Sequence, residues 1–167
     1  MPKSKYQNKG FTLMEVIVSV GIITTVLVTV IGLITFSISG IRLNKSKTIA
    51  FGLAQEGLEL VKNIRDNNWL SGKRTIANWR DGLEEGDHLV QYNLGTLMSF
   101  SSVPLKIDTN GFYQHDGGSD TIFYRKINIQ YVDDDQIKIT VQITWQESGR
   151  NQILSSEVRF YNWLKES

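Results

Sequence analysis

Two residues near the N-terminus of this 167-residue chain carry its clearest chemistry. Gly10 closes a short leader that contains three lysines, and Glu15 is the first charged residue of the long apolar run that follows. Residues 16–41 hold no charge at all. A carboxylate costs about 2.5–3.5 kcal/mol at the centre of a bilayer and less toward its edge, so Glu15 needs a partner. An α-amine released at Phe11 by cleavage after Gly10 is the closest candidate.

The segment 9–16, K-G-F-T-L-M-E-V, resembles the prepilin signal of type IV pilins and of type II secretion pseudopilins. The resemblance implies that a prepilin peptidase cleaves after Gly10 on the cytoplasmic side of the membrane. It also implies that the new N-terminal Phe11 is N-methylated. Glu15 then corresponds to the acid that pairs with the N-terminus of a neighbouring subunit in a helical filament. Met14 stands where the family more often has Leu or Ile.

Two other N-terminal signals are alternatives. An ordinary secretory signal has an apolar core of about 7–15 residues, and the run before the small-x-small sequence Ser37-Ile38-Ser39 is longer than that. A plain signal anchor would accommodate the length of the run, but it leaves Gly10 and Glu15 unexplained.

Charge and composition exclude several classes of protein. The formal net charge of +1 becomes −2 when the three leader lysines are removed, so no basic surface for nucleic acid is expected. The chain has no cysteine, so stability must come from the core, from assembly or from a bound ion. Three basic residues also follow the apolar run, namely Arg42, Lys45 and Lys47, so charge alone does not orient the span. Placing the leader in the cytoplasm rests on the resemblance.

Hydrophobic periodicity predicts one long helix with two different surfaces. Residues 11–41 would extend about 46 Å as a helix, more than the roughly 30 Å of a bilayer core. Beyond them, apolar side chains recur at steps of three and four, which indicates an amphipathic helix up to residue 66. The predicted buried stripe consists of Ile49, Leu53, Gly57, Leu60 and Ile64, with Ala50, Ala54 and Val61 beside it. Gly57 within this stripe predicts close packing of another element.

The C-terminal third predicts an antiparallel sheet. Residues 137–145 alternate apolar and polar side chains, residues 123–131 do the same, and residues 154–160 do so more loosely. Turns are expected at Asp133-Asp134-Asp135 and Ser148-Gly149-Arg150, and shorter strands at residues 88–93 and 105–108. Trp69 and Trp79 are interpreted as covering the edge of the core, with a partner contact as the alternative.

These elements predict an α+β pilin fold, in which the amphipathic half of the helix packs on a small antiparallel sheet. The predicted segments are a leader (residues 1–10), a membrane-spanning or filament-core helix (11–41), its amphipathic continuation (42–66), a connection (67–87) and the sheet (88–167).

No motif predicts an enzyme or a cofactor. The two histidines, His88 and His115, are far apart, and no zinc-protease, serine-hydrolase or phosphate-loop pattern occurs. Residues 108–111 begin like a calcium loop but lack its twelfth-position glutamate. A polar turn is therefore preferred, and the weak metal candidates are Asp108, Asn110, Asp116 and Asp120.

The sequence thus predicts a structural filament subunit. The patterns R-K-I-x-I, V-x-I-x-W and Y-N-W of the C-terminal part resemble PilV-like minor pilins and GspI-like minor pseudopilins, which favours a minor subunit. The expected partners are other pilin subunits, the prepilin peptidase and, before assembly, membrane lipid. The expected location is the cytoplasmic membrane and then an extracellular or periplasmic filament. The alternatives are a major pilin, a pseudopilin of a type II secretion system, a subunit of a competence filament and a signal-anchored extracellular binding domain.

Overall fold

The computed structural model describes residues 10–73, 75–76 and 78–163. The predicted leader, apart from Gly10, lies outside these residues. The chain divides into two compact units, Met1–Asn44 and Lys45–Ser167, and a single helix runs through the boundary between them.

This helix, α1, spans Leu13–Leu70 and has 58 residues. It ends four residues beyond the predicted Asp66, so the first part of the predicted connection is helical. The last turn is held by Asn68, whose Nδ2 donates to the carbonyl oxygens of Trp79 (3.1 Å) and Asp81 (2.8 Å). These contacts to a loop distant in sequence are tertiary, so helical periodicity could not predict them.

The buried stripe of α1 lies beside the one predicted from periodicity. Its buried apolar members are Ala50, Leu53, Ala54, Gly57, Val61 and Ile64. Ile49 and Leu60, which were predicted to be central, are only partly buried. Small side chains take the centre because the helix lies very close to the sheet. A Cβ added to Gly57 would lie 3.1 Å from Val141 Cγ1, which confirms the predicted close packing at this glycine.

Eight strands form two antiparallel sheets. In chain order they are β1 (Gly86–Leu89), β2 (Met98–Ser99), β3 (Lys106–Ile107), β4 (Tyr113–Gln114), β5 (Ser119–Asp120), β6 (Phe123–Asp133), β7 (Gln136–Glu147) and β8 (Arg150–Tyr161). The larger sheet has the order β2-β1-β6-β7-β8, and the smaller has the order β4-β3-β5. The predicted α+β fold, with a long helix on an antiparallel sheet, is therefore confirmed.

The predicted alternation of the long strands is confirmed. Along β7, the inward side chains are Ile137, Ile139, Val141, Ile143 and Trp145, and all of them are buried. The β7–β8 turn contains only Ser148 (φ 51°) and Gly149 (φ 74°), both in the left-handed region that a type I′ turn requires. Trp69 and Trp79 are also buried, so both belong to the core.

The short strands were predicted less accurately. β1 begins at Gly86 and ends at Leu89, whereas the prediction placed this strand at residues 88–93. Val90 and Gln91 are buried but are not paired with a neighbouring strand. The Gln91 side chain instead forms hydrogen bonds with the loop that carries His115 and Asp116. β3 lies within the strand predicted at residues 105–108 but belongs to the separate smaller sheet.

A buried arginine joins the helix to the sheet. Arg125 occupies an inward position of β6 and is 1% exposed. Its Nη2 donates to the Val90 carbonyl (2.8 Å), its Nη1 donates to the Leu53 carbonyl (3.3 Å), and Nη1 lies 3.2 Å from Glu56 Oε1. Burial lowers the pKa of Arg125, and the charge of Glu56 opposes this effect. Sequence analysis missed this pair.

Candidate functional site: the N-terminal segment and the exposed part of the helix

The predicted cleavage point lies on an accessible stretch of chain. Gly10 precedes the helix, and nothing lies within 4 Å of the position that a Cβ would take there. The Phe11 side chain is 82% exposed. Accessible backbone outside regular structure is where proteolysis concentrates. Among the described residues, nothing obstructs the approach of a peptidase to the Gly10–Phe11 bond.

Thr12 forms the N-terminal cap of α1. Its Oγ1 accepts a hydrogen bond from the Glu15 backbone N–H (3.3 Å), and its carbonyl accepts from the N–H groups of Glu15 and Val16. Thr-x-x-Glu is the sequence signature of a capping box, and the observed bond is its first half. Sequence analysis missed this role, although the spacing of Thr12 and Glu15 carries the signal.

Glu15 lies in the first turn of α1, where the positive end of the helix dipole favours a carboxylate. Its side chain is exposed, and within the described part of the chain no side chain forms an ion pair or hydrogen bond with the carboxylate. Glu15 is separated from Phe11 by one helical turn of sequence. The structure thus brings the three predicted N-terminal residues into one short segment. The pairing partner of Glu15 stays a prediction.

The side chains of residues 13–41 are all exposed and mostly apolar, with Glu15 as the one charged residue among them. By length and composition, α1 can cross a membrane. Most serine and threonine hydroxyls of this segment suit this environment because they donate to carbonyls of the preceding turn. Ser19 donates to Glu15 O (2.7 Å), Thr25 to Gly21 O (2.9 Å) and Thr29 to Thr25 O (2.9 Å). Hydroxyls that are bonded within the helix avoid the cost of an unsatisfied polar group in lipid.

The weak metal candidates do not come together. The Asp108 carboxylate accepts the backbone N–H groups of Asn110 (2.8 Å) and Phe112 (2.9 Å), which closes its own turn. Asp116 accepts from the Gln91 side chain, and Asp120 lies in β5 opposite Lys106. Within residues 10–73, 75–76 and 78–163, no group of three or more His, Cys, Asp or Glu side chains is placed to hold a metal ion.

His115 is the other notable polar side chain. Both of its ring nitrogens are buried, and neither has a hydrogen-bond partner among the described residues. Burial lowers the pKa of His115, Arg125 lowers it further, and Asp116 opposes both. Protonation of His115 in the folded state thus carries an electrostatic cost. His115 belongs to the C-terminal unit and not to the N-terminal segment.

Comparison with known families identifies the N-terminal segment. Residues 5–31 match a family model described as the prokaryotic N-terminal methylation motif. This range includes Gly10, Phe11 and Glu15. No curated protein and no solved structure matches the chain. The motif, together with the exposed apolar helix, supports a type IV pilin-like or pseudopilin subunit that is anchored in a membrane by its N-terminal helix.

Proposed function

We propose that this chain is a minor subunit of a type IV pilus or a related filament, with a structural and not a catalytic role. The observation that carries the proposal is the methylation motif at the start of a helix whose residues up to 41 have no cover from the part of the chain that the structure describes. A prepilin peptidase would cleave after Gly10 on the cytoplasmic side, and Phe11 would be N-methylated. The mature chain would then enter a helical filament through α1.

The exposed part of α1 supplies the reason for assembly. Residues 13–41 need an apolar environment, which lipid provides before assembly and the helices of neighbouring subunits provide afterwards. Lipid tails are as apolar as the side chains, so packing alone gives little directional preference. Pairing of the Glu15 carboxylate with the α-amine of an adjacent Phe11 would fix the axial position of one subunit against the next. The same pairing would offset the cost of the buried charge.

Two alternatives to a pilus subunit have the same N-terminal chemistry. They are a type II secretion pseudopilin and a competence-filament subunit, and the methylation motif at residues 5–31 is compatible with each. The C-terminal patterns that favour a minor subunit are consistent with pilus and pseudopilus alike. A signal-anchored binding domain is the alternative of another class, and it would retain its leader.

The mass of the mature N-terminus tests the proposal. We expect the exported chain to begin at N-methyl-Phe11, as determined by intact-mass and N-terminal peptide analysis. Gly10→Val is the matched change, because a branched side chain at the cleavage point should leave the precursor uncut without altering α1. An unprocessed wild-type chain would favour the signal-anchored domain. A mature N-terminus at Gly40 would favour an ordinary secretory signal.

A further inference from the structure

A groove lies on the face of the larger sheet opposite to the face that packs on residues 50–64 of α1. Its volume is about 680 Å³, within the range of about 300–1,000 Å³ that is typical of small-molecule sites. Tyr124, Thr144 and Ile153 lie side by side on β6, β7 and β8. Gln146 and Asn151 form the next cross-strand pair toward the β7–β8 turn. Since cross-strand partners share a face of the sheet, these side chains form the floor of the groove.

One side of the groove is held by hydrogen bonds between two segments of backbone. The Leu105 N–H donates to the Phe123 carbonyl (2.7 Å), and the Thr121 N–H donates to the Leu105 carbonyl (2.9 Å). The Thr121 hydroxyl also donates to the Leu105 carbonyl (2.6 Å). Ser102 and Ile122, which line this side, therefore lie on segments that are tied together. A site that is formed before its ligand arrives loses less entropy on binding.

The polar side chains of the groove have unused hydrogen-bonding capacity. Five of them form no side-chain hydrogen bond with any residue that the structure describes, namely Tyr124, Thr144, Gln146, Asn151 and Gln152. Elsewhere on the same face, polar side chains are bonded within the chain. Asn128 donates to Asp87 (2.7 Å), for example. Amides and hydroxyls both donate and accept, so the groove suits a ligand whose own groups do the same.

The groove has no charge. None of the ten residues that line it is charged. A smaller recess beside it includes Lys126, but this ammonium lies 3.2 Å from the Asp87 carboxylate and is paired. Nucleic acids and other polyanions bind through unpaired Lys and Arg, so they do not fit. An extended peptide does not fit either, because strand addition needs a free sheet edge, whereas the groove lies on the face of paired strands.

The groove also has an apolar part. Tyr124 is exposed, and so are the two isoleucines that lie beside it in the groove, Ile122 and Ile153. The face of an aromatic ring carries negative charge density, which attracts the weakly positive C–H groups of a ligand. A ligand that uses the whole groove therefore combines C–H groups with neutral donors and acceptors.

We propose that the groove binds a neutral saccharide of about two rings. The C–H groups of a sugar ring would pack on Tyr124. Its hydroxyls, each both donor and acceptor, would bond the side-chain amides of Gln146, Asn151 and Gln152. The proposal goes beyond a filament role and does not depend on it, because the groove lies entirely in the C-terminal unit.

The NMR signals of the side-chain amides test the proposal directly. The full chain, labelled with ¹⁵N, is held in dodecylphosphocholine micelles, because the headgroup of this detergent is not a sugar. The probes are cellobiose and N,N′-diacetylchitobiose, two neutral disaccharides of which only the second carries acetamido groups. We expect at least one of them to shift the signals of Gln146, Asn151 and Gln152 in a saturable way, with no shift at Gln130 outside the groove. No saturable shift with either disaccharide would overturn the proposal.

Two controls concern the kind of ligand. Sucrose octasulfate, an anionic disaccharide, should not shift these amides, since the groove holds no cation. A larger shift with this anion than with the neutral disaccharides would contradict the assignment to a neutral ligand. A dimer of the purified chain that moves the same signals without any saccharide would also contradict it, because the groove would then be an interface between copies.

Variants of Tyr124 test the packing of the sugar on the ring. We expect Tyr124→Ala to weaken binding about tenfold and Tyr124→Phe, which keeps the ring, to bind within about threefold of the wild type. Tyr161→Ala is the matched control, because Tyr161 is an exposed tyrosine on the same face of the sheet but outside the groove. It should leave the affinity unchanged. Wild-type affinity in Tyr124→Ala would show that the ring does not contact the ligand and would overturn the proposal.

A double variant tests the hydrogen bonds. Gln146→Ala combined with Asn151→Ala should weaken binding about fivefold, since each amide loses its bonds to the sugar. Both side chains are exposed, so the melting temperature should not change. Gln130→Ala, at an exposed position outside the groove, is the control and should bind normally. Normal binding by the folded double variant would overturn the proposal. These measurements need neither cleavage after Gly10 nor a filament, so they decide the groove even if the proposed function fails.

Discussion

Residues 13–41 and residues 50–64 belong to the same helix, but their apolar side chains are in different surroundings. In the first region every side chain is exposed, whereas in the second a stripe of small residues lies directly against the sheet. The first region has no cover among the described residues and needs an apolar environment that these residues do not supply. The second is covered by its own chain. Both regions are thus helical, but what covers their apolar surfaces differs. Substitutions in the two regions should therefore show their effects in different assays.

The largest expected effect is at Glu15. Glu15→Gln keeps the size of the side chain and removes its charge, so the proposed pairing with an adjacent N-terminus would be lost. We expect cleavage after Gly10 to continue and recovery of the chain in sheared filaments to fall at least tenfold, with Glu15→Ala behaving alike. Thermal unfolding of the C-terminal unit should be unchanged. Normal incorporation of Glu15→Gln would show that the carboxylate has no role in assembly.

A substitution in the second region should act on folding instead. Val61→Asp places an unpaired charge at a fully buried position and should destabilise the fold by about 3 kcal/mol or more. Leu60→Asp is the matched change one residue away. Because Leu60 is only partly buried, its substitution should cost about 1–2 kcal/mol less. Denaturant unfolding followed by circular dichroism measures both. Equal effects would mean that the buried face of α1 is not centred on Val61.

The sequence predicted the difference between the two regions of α1 better than it predicted which side chains of the second region are most buried. The alternation of residues 137–145 and the change of period after Arg42 each report directly on which face of a strand or helix is apolar. The centre of the helical stripe was displaced by one residue, because alanine, valine and glycine give a weaker hydrophobic signal than isoleucine and leucine. The small side chains nevertheless occupy the central positions of the stripe, where helix and sheet come closest.

Arg125 and the smaller sheet could not be predicted in this way. Arg125 occupies an inward position between Phe123 and Ile127, and its burial depends on Glu56 and on the carbonyls of Leu53 and Val90. These partners are distant in sequence. The strands of the smaller sheet have two residues each, which is too short for any periodicity. At the N-terminal segment, by contrast, the signal is local, because residues 5–31 alone match the methylation motif. The roles of Gly10, Phe11 and Glu15 stay predictions.

The Arg125–Glu56 pair provides a smaller test of the covered region. Glu56→Gln removes the countercharge of a buried guanidinium and should destabilise the fold. Breaking a fully buried pair costs about 3–5 kcal/mol. Because a third of the Glu56 side chain is exposed, we expect about 1–2 kcal/mol. Glu59→Gln, which alters an exposed pair with Lys62 on the same helix, should cost less than 0.5 kcal/mol, as is usual for surface pairs. Equal costs would show that Arg125 is not stabilised by Glu56.

The smallest expected effect is a dependence on pH that is confined to the C-terminal unit. The pKa of His115 is lowered from 6.5 in the folded state, so the unfolded chain binds the proton more readily. The corresponding stability is fully present above about pH 6.5 and is lost as the pH falls below it. Melting temperatures between pH 7.5 and 5 should show this loss in the wild type and a weaker loss in His115→Gln. His88→Gln, which leaves His115 in place, should retain it, and an unchanged slope in His115→Gln would contradict the assignment.

The hydroxyls that donate to their own helix have a kinetic consequence. Ser19, Thr25 and Thr29 keep the same hydrogen bonds whether lipid or another helix surrounds them. If the proposed function holds, transfer of the exposed part of α1 from a bilayer into a filament would break none of these bonds, and the return would break none either. The activation barrier for that exchange contains no contribution from them in either direction. Such a span would suit the proposed subunit, which passes from a membrane into a polymer.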